Sequence, residues 1–321
     1  MFRRILVPVD GSVFAEQALP HALHLAATSK AELRIVMVHG QPTVGVLRES
    51  AYATPFTLTL PVAEQAYLAD VARRIREASR LEVETALIAG VPAKALGSYV
   101  RARDIDLVVM STHGRGGLRR AWLGSVADAL VRRLRVPILL VRPHERSPSE
   151  IEPANVRRVL VALDGSTGAE DALPVASDVC ALYGSACTLL RVIVPPRELM
   201  PVRMYEPEFD REYIEDASRE AAHYLSDRAV RFSPHATSTV VVHANPAMAI
   251  LDHARGEHSD LIVVGTRGAG RVARMVLGSV ADKVLRASTV PVLVCPSPRP
   301  AQPSDLQGVG SGSSEAVAVD A

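Results

Sequence analysis

One offset constrains this chain more than any other feature: landmarks from its start to near its end recur 154 residues later. Asp10-Gly11-Ser12 returns as Asp164-Gly165-Ser166, and Ala18-Leu19-Pro20 as Ala172-Leu173-Pro174. Pro92-Ala93 returns as Pro246-Ala247, Asp106-Leu107 as Asp260-Leu261, and Val136-Pro137 as Val290-Pro291. A shared long offset means two copies of one domain in tandem and excludes a solenoid of short repeats. Each copy spans about 140 residues, an ordinary length for one domain.

In the first copy, residues 5–9 form a short unbroken apolar run, the mark of a strand buried on both faces of a parallel sheet. Helical periodicity follows at 15–27, a strand at 33–38, an amphipathic helix at 62–78, and a strand at 82–88. A helix at 93–101, a strand at 107–110, a helix at about 126–134 and a last strand at Ile138–Val141 complete the unit. The second copy repeats this order at 159–163, 169–182, 187–192, 214–231, 239–242, 247–254, 261–264, 280–285 and 292–294. Alternating strands and helices predict right-handed crossovers, hence two tandem doubly wound α/β domains, each with a five-stranded parallel sheet. The expected domains are 1–145 and 156–296, with a linker at 146–155 inside a Pro-, Ser- and charge-rich stretch. A disordered tail is expected at 297–321, and the stretches 40–61 and 194–210 read as irregular and differ most between copies.

A glycine pattern carries the chemistry. Ser111-Thr112-His113-Gly114, nine further residues, then Gly124-Ser125 is matched by Gly265-Thr266-Arg267-Gly268, nine residues, then Gly278-Ser279. Each pattern follows an apolar strand and feeds a helix, which aims backbone N–H groups and a helix N-terminus at an anion such as phosphate. Glycine allows close backbone approach and positive φ. Ligands of doubly wound sheets sit beyond the carboxyl ends of strands where the winding reverses, and Asp10 and the glycine pattern both fall at such ends. Simpler roles stand beside these. Ser125 and Ser279, with Asp128 and Asp282 three residues on, read as capping boxes, and Asp10 and Asp164 as Asx turns. His113 has Arg267 as its counterpart, so a catalytic histidine there is not expected.

A net charge of +1 gives no drive towards nucleic acid or an anionic membrane. No apolar stretch approaches the roughly 20 residues of a membrane span, and no cleavable signal pattern opens the chain. The ten histidines form no metal constellation. Cys180, Cys187 and Cys295 suggest neither a disulfide framework nor metal spacing, and Cys295, near the tail, reads as open to exposure. The expected setting is a reducing cytoplasm.

Taken in order, the strand-Pro-Val-Asp-Gly-Ser opening, the Asp-Leu-Val-Val strand, the G-x2-G-x9-G-S pattern and the closing Val-Pro strand resemble the universal stress protein family in its tandem form. The resemblance spans about residues 2–143 and 156–296. It implies a Rossmann-like fold of the adenine nucleotide alpha hydrolase type and ATP as cofactor, with Mg²⁺ or Mn²⁺ on the phosphates. It places Asp10 and Asp164 near the adenosine, and Val38 and Val192 beside the adenine. Gly114, Gly124 and Ser125 in one copy, and Gly265, Gly268, Gly278 and Ser279 in the other, become the phosphate loop. Pro8 in the first strand and Val126 and Val280 after the Gly-Ser pairs belong to the same set. Arg120 and Arg274, which recur at the offset within the loop, are candidate phosphate contacts. Two positions depart from the pattern: Ser111 stands where the second copy has Gly265, and Ala162 stands where the first has Pro8. The first loop is therefore expected to be the less free of the two.

Three functions remain in view. The first is a nucleotide-dependent regulator in the stress response, without catalysis or with slow ATP hydrolysis. The second is a phosphotransfer or ATP-hydrolysing enzyme using the same pocket, against which stands the lack of a G-x4-G-K-[S/T] loop and of a kinase signature. The third is a nucleotide-free interaction scaffold. In the family the last strand pairs between domains, which here implies a pseudo-dimer of the two copies within one chain. Association of two chains and the identity of protein clients stay open.

Overall fold

The computed structural model describes residues 1–40, 56–79, 81–114, 123–143, 152–196, 207–232, 236–266 and 277–297. The first copy runs β1 (Arg4–Val9), α1 (Val13–Glu16), α2 (Leu19–Ser29), β2 (Glu32–His39), α3 (Phe56–Ser79), β3 (Val83–Ala89), α4 (Pro92–Ala102), β4 (Leu107–Ser111), α5 (Ser125–Arg133) and β5 (Ile138–Val141). The second runs β6 (Arg158–Leu163), α6 (Thr167–Glu170), α7 (Leu173–Tyr183), β7 (Ala186–Ile193), α8 (Pro207–Phe232), β8 (Thr237–Val242), α9 (Pro246–Gly256), β9 (Leu261–Gly265), α10 (Ser279–Ala287) and β10 (Val292–Cys295).

The expected single helix after the first strand is two in each copy. Pro20 and Pro174 sit in the first turn of the second piece, and a proline has no N–H to continue the preceding helix. The stretches expected to be irregular up to 61 and 210 are shorter, since α3 already begins at Phe56 and α8 at Pro207. Of the linker, residues 146–151 lie outside the described residues, as does the tail beyond 297.

The ten strands form one sheet in the order β3-β2-β1-β4-β5-β10-β9-β6-β7-β8. All neighbours are parallel except β5 and β10, which pair antiparallel with Leu139 opposite Leu293. The two five-stranded halves thus meet through their last strands in one continuous sheet, and each half reverses its winding between its first and fourth strands. Alternate side chains go to opposite faces. Ile5, Val7 and Val161 join an apolar layer under α1–α3 and α6–α8, whereas Leu6, Val108 and Leu160 join one under α4, α5, α9 and α10. Both layers draw residues from both copies, so the cores are shared across the seam.

The seam is closed by side chains too. α2 packs on α7, where His24 stacks on Tyr183 at 4.4 Å between centroids, His21 Nδ1 lies 3.0 Å from the Tyr183 hydroxyl, and His24 Nε2 lies 3.1 Å from the Leu182 carbonyl. On the other face, Arg286 pairs with Asp128 at 3.3 Å and Arg132 with Asp282 at 3.5 Å, a cross-pairing between α10 and α5 that obeys the offset.

Cys180 and Cys187 are joined by a disulfide, contrary to the expectation from composition. α7 ends at Gly184, whose left-handed φ of 66° turns the chain directly into β7 and sets the two cysteines face to face. Cys295 is buried, not exposed, and burial pushes its thiol pKa up.

Candidate functional site

Each copy places its Asp-Gly-Ser turn at the carboxyl end of its first strand. Gly11 and Gly165 take φ of 82° and 84°, the one backbone requirement for glycine in the motif. Asp10 Oδ1 accepts the Ser12 N–H at 3.0 Å and the Ser12 hydroxyl at 2.6 Å; Asp164 Oδ1 accepts the same groups of Ser166 at 2.9 and 2.5 Å. The Asx-turn reading therefore holds in both copies. Ser12 and Ser166 also cap α1 and α6 by accepting the N–H of Ala15 and Ala169, each at 3.2 Å. Ser12→Ala is expected to lower stability by about 1 kcal/mol, measured by urea unfolding.

The glycine loop closes at its base in the same way twice. Gly124 N–H donates to Thr112 O at 2.8 Å, and Gly278 N–H to Thr266 O at 2.7 Å. Residues 115–122 and 267–276, which include Arg120, Gly268 and Arg274, lie outside the described residues. A Cβ on Gly114 would collide with the Asp10 carboxylate, so the start of the first loop lies against the turn. The convergence of aspartate and loop expected from strand ends is met there. Val38 and Val192 lie one residue before the ends of their strands beside these turns, because Val9 is in register with Met37 and Leu163 with Arg191.

Three expectations change. The described loop glycines do not take positive φ; Gly124 and Gly278 sit near −65° as N-caps of α5 and α10. Ser125 and Ser279 are therefore the first helical residues, not caps, and no hydrogen bond to either hydroxyl occurs among the described residues. Both serines are exposed, with Val126 and Val280 half-buried behind them. Asp128 and Asp282 face the arginines of the seam instead of completing a capping box. Thirdly, Ser111 is not a strained break. It ends β4 buried, and its hydroxyl accepts the His113 N–H at 3.2 Å. Gly265 is glycine because a Cβ there would lie 2.7 Å from the Gly168 carbonyl and 3.1 Å from the Ala169 Cα. At the offset, Gly168 and Gly265 have Phe14 and Ser111 as counterparts.

Pro8 bears on how the first strand pairs. Without an N–H it has nothing to donate, and although the β1–β2 register runs through it to Val9, the β1–β4 pairing stops at Leu6 opposite Val108, whereas Ala162 still pairs with Val264.

Other side chains at these ends were not singled out from sequence. His39 Nδ1 meets Glu64 of α3 at 2.7 Å, beside Val38, where the second copy has Ile193. Arg191 stands where the first copy has the buried Met37. Its guanidinium lies against Gly165, 3.2 Å from where a Cβ would sit, and 5.2 Å from the Tyr224 ring centre. The ion pairs Glu16–Arg74 (2.9 Å) and Glu170–Arg228 (3.0 Å) recur at the 154-residue offset, a signal available in the sequence. No group of three His, Cys, Asp or Glu suited to a metal occurs among the described residues.

Two open α/β units, each with an aspartate turn and the base of a glycine loop at the strand ends where the winding reverses, define a tandem doubly wound protein. The model of the Universal stress protein family matches residues 1–142 and 155–296, and the chain belongs to that family. It is 28% identical over 303 residues to Universal stress protein Rv2005c of Mycobacterium tuberculosis (strain ATCC 25618 / H37Rv), covering 90% of this chain and 96% of the relative. Universal stress protein MJ0531 of Methanocaldococcus jannaschii is 29% identical over 143 residues, 44% of this chain and 83% of its own. In fold, it resembles a universal stress protein from Archaeoglobus fulgidus (22% identity, TM-score 0.62, 92% of this chain and 96% of that one). A Pseudomonas aeruginosa UCBPP-PA14 homologue is similar (18% identity, TM-score 0.65, 92% and 93%). No helix among the described residues is long and apolar enough to cross a membrane.

Proposed function

We propose that each copy binds one adenine nucleotide, ATP with Mg²⁺ or Mn²⁺, and that occupancy regulates partner binding in a cytoplasmic stress response. The observation that carries this is Ser125 and Ser279. Each is an exposed hydroxyl without a protein partner among the described residues, at the first position of a helix whose N-terminal N–H groups lack a side-chain cap. Those are donors suited to an anion, opposite a carboxylate turn suited to sugar hydroxyls. The ion would be held by the phosphates, since the described residues offer no cluster of three ligands. A hydroxyl–histidine contact does occur at the first loop, Thr112 Oγ1 to His113 Nδ1 at 3.0 Å, but the second copy has Arg267 in place of the histidine, so binding without dedicated catalysis is the reading favoured.

Nucleotide released from the purified protein, followed by calorimetric titration with Mg-ATP, tests this. Two equivalents bound per chain are expected. Absence of binding by either copy would sink the reading.

A further inference from the structure

The Glu–Arg pairs of the two copies do more than decorate the surface. Glu16 is the last residue of α1 and Glu170 the last of α6, the single-turn helices that begin directly after the Asp-Gly-Ser turns. These helices lie between the turn and the glycine loop. Ser166 caps α6 while holding Asp164, and Gly265 at the start of the loop packs on the Gly168 carbonyl of the same helix. The Gly168 carbonyl also accepts the Ser297 hydroxyl at 3.0 Å.

A single turn has almost no helical stability of its own. What fixes its position is the long helix beside it. Arg74 of α3 reaches Glu16 at 2.9 Å and is itself held by Asp70 at 2.9 Å. Arg228 of α8 reaches Glu170 through Nε at 3.1 Å and Nη2 at 3.0 Å, is held by Asp227, and lies 5.0 Å over the Tyr224 ring. Both carboxylates are half-buried, which reduces the screening that weakens surface pairs. The pairs sit at identical offsets although other residues around them differ, Met37 against Arg191 and His39 against Ile193. Two environments, one retained device: the device serves what the copies share.

We infer that Arg74 and Arg228 are positioning residues, each locking the single-turn helix that aims one aspartate turn and one glycine loop at the ligand of its own copy. The inference rests on the nucleotide reading for its ligand. Its first readout does not.

The test uses the full chain with Arg74→Met and Arg228→Met, and Arg228→Lys as the conservative variant. Amide hydrogen exchange is followed without ligand. Ser166 and Ala169 are expected to exchange faster in Arg228→Met, and Ser12 and Ala15 in Arg74→Met, with the other copy unchanged. Titration with Mg-ATP is then expected to show about tenfold weaker binding in the altered copy only, with most of the loss restored by lysine. Unchanged exchange at these amides would overturn the inference, as would an equal loss at both copies accompanied by a lowered melting temperature. Faster local exchange in a protein that binds no nucleotide would keep the positioning role and reject the nucleotide.

Discussion

Gly265→Ala is expected to cost about 2 kcal/mol or more of stability, the scale of overpacking a filled site. The new methyl would meet the Gly168 carbonyl at 2.7 Å and the Ala169 Cα at 3.1 Å. Both are backbone atoms, and neither can swing aside as a side-chain tip would. α6 would have to move, carrying Ser166 and the Asp164 turn with it. Gly256→Ala provides the contrast: nothing lies within 4 Å of a Cβ there, and alanine is the better helix former at the end of α9. Calorimetric melting of the two variants decides. Equal melting temperatures would mean that the Gly168–Gly265 contact is not tight. The same experiment separates packing from ligand binding, because the cost should appear in the unliganded protein.

The second large effect is a loss of stability in acid, centred on the seam between the copies. Burial, with His24 beside it, lowers the His21 pKa from 6.5 to about 4. Above pH 6.5 neither the folded nor the unfolded chain protonates this ring, and its contribution is constant. As pH falls through 6.5 the unfolded chain takes up a proton that the native seam refuses, so stability declines until about pH 4, where the native ring also titrates. The shift corresponds to about 3 kcal/mol. His21→Gln can still bond to the Tyr183 hydroxyl and does not titrate. Denaturant unfolding from pH 7.5 to pH 4 should therefore show a shallower decline for the glutamine variant. Parallel curves for variant and wild type would show that His21 is not kept neutral. On the α2–α7 face of the seam stand His24 on the same helix, Tyr183 on α7, and Asp178, which is paired with the amino group of Met1.

How much of the site was legible follows from what kind of relation each feature is. Asp10 and Asp164 were found because a turn of Asp-Gly-Ser is local: the hydrogen bonds of Asp10 Oδ1 close within two residues. Ser125 and Ser279 were misassigned as caps by one position. Gly124 and Gly278 hold the extended backbone that ends the loop, and that conformation is fixed by a bond to Thr112 or Thr266 across residues no local pattern connects. Ser111 reads as a departure from the glycine pattern because what requires glycine at 265 is its contact with Gly168, 97 residues away in sequence (265 − 168). The Glu16–Arg74 pair, 58 residues apart, did leave a trace, since both members repeat at the offset.

Sequence alone determined the duplication, the α/β alternation within each copy, the Asp-Gly-Ser turns and the family. These rest on a repeat length, on periodicities of two and 3.6, and on bonds made within a few residues. Tertiary structure decided the rest. The antiparallel β5–β10 pair, the His24–Tyr183 stack and the crossed α5–α10 ion pairs join residues roughly 150 positions apart. Their register depends on which faces of both copies are buried together, an outcome of packing two cores against one sheet and not of any single segment. The disulfide between Cys180 and Cys187 shows the same limit at short range, for only the left-handed turn at Gly184 makes near neighbours in sequence into partners in space.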